Sequence, residues 1–151
     1  MTETVHTIDL GVVWEPGAPE AVLFTEDNGS AVLAIRAHHG DPDQRVVVLM
    51  WPHARYSLLA PPNDETINGH RLWGKGLQEV EWVGEVTNSE LIQMLEKQNS
   101  VHPRHNAASF ETLRHFVIPL KECLVEVVSR SSIKVTRFDG TTRQAAFASQ
   151  T

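Results

Sequence analysis

Apolar positions change their period along this chain. Ile8, Leu10, Val12 and Trp14 alternate, which predicts a half-buried strand. Pro16-Gly17-Ala18-Pro19 stops it. Ala21 to Thr25 and Ala31 to Ala37 are apolar and β-prone. Between them lies Asp27-Asn28-Gly29-Ser30, whose Asn-Gly pair is a strong hairpin signal because both central residues of such a turn need positive φ. Gly40-Asp41-Pro42-Asp43 makes the next turn. Arg45 to Trp51 is a continuous β-branched run, the pattern of a strand buried on both faces. A meander of about four strands accounts for this third of the chain.

The middle reads differently. Ala60-Pro61-Pro62-Asn63-Asp64-Glu65 is a loop, Asn68-Gly69 a turn and Gly74-Lys75-Gly76 a hinge. Glu79 to Val86 alternates, with Val80, Trp82 and Val86 on one face and three glutamates on the other. Leu91, Ile92 and Leu95 fall on one helical stripe, opposed by Glu90, Gln93, Glu96 and Lys97. Thr87 and Glu90 have capping-box spacing, with Asn88 as the alternative N-cap, so a helix is predicted over about 88–99. Leu113 to Ile118, Cys123 to Ser129 and Ile133 to Phe138 return to strand, Asp139-Gly140 turns, and Arg143 to Phe147 suits a short edge strand. The expected fold is α+β, mostly β: a strongly bent antiparallel sheet or small barrel with one main α-helix across its mouth or side.

Composition narrows the setting. The 151 residues fit one domain, 1–151, able to bury about two-thirds of its surface without a disulfide or a metal. A single cysteine, Cys123, gives no disulfide framework; on a strand with no CxxC partner or helix N-terminus it reads as a buried thiol. No basic patch followed by an apolar run opens the chain, and Val46 to Trp51 is too short to span a membrane, so a cytoplasmic protein is expected. A net charge of −6 with 13 scattered Lys and Arg residues argues against nucleic acid as a partner. A small-molecule ligand is the expected partner, and a homodimer is a common assembly at this size.

The candidate chemistry lies in the eight histidines and their neighbours. Gly69 to Lys75 matches phosphate-loop spacing, but Gly76 stands where Ser or Thr would hold magnesium, and Leu72 and Trp73 crowd the loop. His102 and His105 flank Pro103, which suggests a turn bringing two imidazoles together, half of a zinc site. A third ligand would come from His115, His70, Asp64 or Glu65; without an H-E-x-x-H motif or a cysteine pair, no metal is assigned, and a metal-dependent histidine site stays as an alternative. Arg114 and His115 point to opposite faces of a predicted strand, so one of them enters the sheet's inner side or a pocket. Glu126 shares a face with Leu124 and Val128 in the next strand. It is either inward, as half of a buried acid–base pair with an Arg or His, or outward in a solvated salt bridge; both readings stand.

Several of these segments also occur together. Pro62-Asn63-Asp64-Glu65, Gly69-His70 with Leu72 and Trp73, Asn88-Ser89, Asn99-Ser100-Val101-His102-Pro103 with His105, and Leu113-Arg114-His115-Phe116 resemble a group of small uncharacterised bacterial proteins with P-N-D-E, G-H-x-L, N-x-V-H-P-x-H and L-R-H-F segments. The resemblance covers roughly residues 62 to 118 and implies a bacterial source and one family domain, with no activity attached. Where that group has a His-Asp-Ser turn, this chain has Pro119-Leu120-Lys121-Glu122.

The first expectation is a small-molecule enzyme (an isomerase, cyclase, lyase or hydrolase) using His/carboxylate acid–base chemistry with no organic cofactor, because histidine moves protons near neutral pH. His102 or His115 would act as base or acid, with Asp64 or Glu65 orienting it and Arg114 holding an anionic group. Substrate would meet His70, His105 and Glu126, with Trp73 and Trp82 as an apolar wall. The rival is a non-catalytic binding module, of immunity or regulatory type, with its histidines satisfied by backbone.

Overall fold

The computed structural model describes residues 1–17, 20–27 and 29–149. The expected Ala18-Pro19 stop and the turn at Asn28 fall outside them. Mostly β architecture is observed, 35% strand against 21% helix, with two antiparallel sheets and two α-helices among the described residues. One sheet runs β1-β6-β7-β8-β5, from β1 (Thr4–Ile8), β5 (Ala54–Ala60), β6 (Val83–Thr87), β7 (Arg114–Pro119) and β8 (Leu124–Ser129). The other runs β2-β3-β4-β9, from β2 (Val22–Thr25), β3 (Ala31–Ile35), β4 (Val46–Trp51) and β9 (Lys134–Phe138). The expected α+β, mostly β class is observed; neither sheet closes, so the strongly bent sheet or small barrel is not borne out in that detail.

The reason lies in the doubly apolar strands. β3 and β8 are buried along their whole length and β4 nearly so, so both sheets need a cover on each face. Between the sheets, Leu33, Ile35, Leu49 and Trp51 meet Val83, Phe116, Ile118, Val125 and Val127. Outside the four-stranded sheet, α2 (Thr142–Ala148) sets Ala145 and Ala146 on Val32, Ala34, Val46 and Val48. Outside the five-stranded sheet, short 3-10 turns at Ile67–Gly69, Trp73–Lys75 and Leu77–Glu79 lay Leu72, Leu77 and Val80 on Val5, Val86, Val117 and Leu124. This outer cover positions the candidate site.

Other expectations change. The alternation from Ile8 to Trp14 gives no continuous strand: Ile8 closes β1, Gly11 takes φ 72 with its N–H held by Asp9 Oδ1 at 2.7 Å, and beyond Ile8 Trp14 forms an isolated bridge to Ala37. Ile8, Leu10 and Val12 still pack on the core, so the pattern reported burial. Within 79–86, only the end is strand. Helix α1 spans Glu90–Asn99, with Ser89 rather than Thr87 or Asn88 as N-cap. Asn88 sits at φ 53, a left-handed conformation Asn tolerates better than most residues. The expected edge strand at 143–147 is helical, opened by a Thr141–Gln144 capping box. No helix among the described residues is long and apolar enough to cross a membrane.

Candidate functional site

The β7–β8 register pairs Val117 with Glu126 and His115 with Val128. His115 and Glu126 are therefore diagonal neighbours, pointing away from the inter-sheet core and under the outer cover. Both are buried, at 0% and 1% exposure, where an unpaired carboxylate would cost several kcal/mol. It is paired on three sides. His115 Nε2 lies 2.9 Å from Glu126 Oε1, and the Arg71 guanidinium donates to both carboxylate oxygens at 2.6 and 3.1 Å. His70 Nε2 stands 3.8 Å from Oε2, while its Nδ1 accepts the Leu72 N–H at 3.0 Å.

The line of contacts continues through the imidazole. Ser89 Oγ lies 2.7 Å from His115 Nδ1 and accepts the Ile92 N–H at 3.1 Å. The Glu126 carboxylate can only accept, so in the neutral ring the hydrogen sits on Nε2 facing it and Nδ1 is left to accept from the Ser89 hydroxyl. A buried relay Ser89–His115–Glu126 results, anchored by Arg71. Beside it Glu3, also buried, accepts from Lys75 Nζ at 2.8 Å and from the Glu90 N–H at 2.7 Å, tying the N-terminal segment to the cover and to the start of α1.

Ser89 is the relay member that meets a cavity. It lies on the wall of a groove of about 590 Å³ with Ile92, Glu96, Phe110, Leu113 and Arg114.

Electrostatics follow from this packing. Burial pushes the Glu126 carboxyl up, but the hydrogen bonds from His115 and Arg71 outweigh it and hold the group at about 2. Burial pushes His70 down, opposed in part by the Glu126 charge. Acid should therefore act in two windows. The unfolded chain protonates His70 more readily than the folded one, so that contribution is full above about pH 6.5 and declines below it. The Glu126 contribution, about 3 kcal/mol, is full above about pH 4.5 and is lost toward pH 2. Urea midpoints at pH 7.5, 5.5 and 3.5 should fall in that order, with a smaller first drop in His70→Gln; an equal first drop removes His70 from the account.

The structure brings His70, His115 and Glu126 together and spreads the other candidates. His102 is exposed, its Nδ1 accepting the Arg104 N–H at 3.0 Å. His105 sits between Glu96 and Asn99, at 2.9 Å from each, near Phe110 on the groove. Asp64 pairs with Lys121 at 2.9 Å on the surface, and Glu65 is exposed. Arg114 donates twice to Glu85, at 2.7 Å each, on the groove wall. Trp73 packs under the outer cover, whereas Trp82 lies against the inter-sheet core, edge-on to Trp14. Among the described residues no group of three His, Cys, Asp or Glu side chains is placed to hold a metal ion. Cys123 is half-buried in the turn just before β8 rather than within a strand as expected, and burial raises its thiol.

Arg71, Ser89 and Glu3 are absent from the sequence-derived candidates. Ser89 had a legible signal, since Ser is among the best N-caps. Arg71 and Glu3 had none, because only tertiary docking brings them to their partners. Comparison with protein-family models, curated proteins and solved structures returns no match.

Proposed function

We propose that this chain is a small-molecule enzyme working by histidine–carboxylate acid–base chemistry without an organic cofactor, and that its reaction is a hydrolysis begun by Ser89. The observation behind this reading is the continuous relay from Glu126 through His115 to a serine on the wall of a groove. Ser89 Oγ attacks an acyl or phosphoryl centre while His115 Nδ1 takes its proton and the Glu126 carboxylate stabilises the imidazolium; the bond to the leaving group breaks as the imidazolium returns that proton to it, and water then displaces Ser89 Oγ, which regains its proton. The Ile92 N–H on Oγ and the N-terminal end of α1 favour the developing negative charge. Because His115 is fully buried, the reacting atom has to sit at Ser89 Oγ itself.

Covalent labelling tests this. A fluorophosphonate should modify Ser89 in the native protein. Labelling should fall roughly 1000-fold in Ser89→Gly, a change that removes the hydroxyl but keeps most of the N-cap's value. Absence of an adduct on folded protein, or an adduct on another serine, rejects the assignment.

A non-catalytic binding module is the second reading. Three histidines, His38, His70 and His102, each accept the backbone N–H two residues ahead at 3.0 Å, as a purely structural role requires. It predicts no labelling at all.

A further inference from the structure

One end of the β5–β8 pair, beside the C-terminal turn of α1, carries two arginines that the hydrolytic relay does not use. Ala54 pairs with Ser129, and the Arg130 N–H donates to the His53 carbonyl at 3.3 Å, which brings Arg55 and Arg130 to the same end of adjacent strands. Both line a cavity of about 440 Å³ with Gln98 and Asn99 of α1 and with Phe110 and Leu113. Those last two residues also line the Ser89 groove, so the two spaces share a wall.

Among the described residues no carboxylate lines this cavity, in a protein of net charge −6. Arg36, Arg45, Arg71, Arg114 and Arg137 each pair with an acid, whereas Arg55 and Arg130, like Arg104 and Arg143 elsewhere on the surface, have no ion pair among the described residues. Arg55 and Arg130 are both exposed and free to reach into this concavity, and their planar forks match carboxylate or phosphate oxygens. Leu95, Phe110 and Leu113 supply an apolar wall next to that charge.

We propose that this cavity binds a small organic anion, its carboxylate or phosphate held by Arg55 and Arg130 and its apolar part against Leu95, Phe110 and Leu113. The site stands independently of the hydrolytic reading.

Titrations of the full chain with hexanoate, hexyl phosphate and hexanol, followed by amide chemical shifts, test it. Saturable shifts at Leu95, Phe110 and Leu113 are expected with at least one of the two anions, and whichever binds tighter identifies the head group. Affinity should fall at least tenfold in Arg55→Gln/Arg130→Gln, recover in part in the double Lys variant, and weaken with added salt. Hexanol should bind at least tenfold more weakly than the preferred anion. Ser89→Gly should bind as well as the native chain, so the pocket and the Ser89 chemistry fail separately. Shifts absent with both anions, equal binding by the double Gln variant, or hexanol binding as tightly as the anions would overturn the proposal.

Discussion

Glu126→Ala is expected to destabilise the fold by about 3–5 kcal/mol, a large part of the roughly 5–15 kcal/mol typical of a native domain. The residue is 1% exposed and accepts from His115 and from both Arg71 terminal nitrogens. Removing it leaves the Nε2 side of a fully buried imidazole without its acceptor and opens a void among apolar neighbours such as Val117 and Leu124. Glu126→Gln should cost less, about 1–3 kcal/mol, since its carbonyl still accepts from His115 and Arg71, half-exposed, can turn to solvent. Arg71→Gln should fall in the same lower range. Urea unfolding at pH 7 reads all three, and a midpoint for Glu126→Ala within 1 kcal/mol of the native one would show that the network carries little of the stability.

Gly76→Ala should be comparably severe, by about 3–5 kcal/mol, for a different reason. Gly76 has φ 125, a conformation L residues rarely adopt, and an added Cβ would drive into the Val5 carbonyl of β1. Backbone has no rotamer to yield, so the cover has to lift off the sheet. Gly69 and Gly74 in the same cover provide the control. A Cβ at either meets nothing within 4 Å, and neither has positive φ, so Ala there should change stability by no more than about 0.5 kcal/mol. Similar unfolding midpoints for Gly76→Ala and Gly69→Ala would contradict this account of how the cover is seated.

Periodicity made the strands of the two sheets largely legible, because β4, β7, β8 and β9 announce themselves by β-branched runs. It failed where burial and hydrogen bonding part company. Ile8 to Val12 alternates and packs inward, yet the Asp9–Gly11 turn breaks the ladder. β5, with the sequence Ala-Arg-Tyr-Ser-Leu-Leu-Ala, carries a register shift between Ala54 and Tyr56 and no clean alternation, and it went unseen. α2 is only seven residues and buries alanines, so its apolar stripe is faint; the Thr-x-x-Gln box at its start was the better signal.

The site divides along the same line. Face arithmetic within β7 and β8 puts His115 and Glu126 on their faces, and the register of the pair makes them neighbours. Of the two alternatives for Glu126 the structure adopts the buried pair with His and Arg, on the face under the outer cover. Arg71 reaches Glu126 from a segment of 3-10 turns, which has no period to read. His102 and Asp64 were grouped with His115 by residue type, but each is satisfied at the surface, by its own turn or by Lys121.

The β4–β9 pairing, Val46 with Phe138 through Met50 with Lys134, has a consequence for how the chain is made. During synthesis from the N-terminus, the Val-Val-Val-Leu-Met-Trp strand emerges long before the strand that completes its sheet. Its outer face also waits for α2, which follows β9. Until then an uncharged, β-branched edge is open to pairing with another nascent chain, the sequence character of an aggregating segment. Yield should therefore depend on translation speed and on chaperone supply, and soluble expression should rise at low temperature or with slowed initiation.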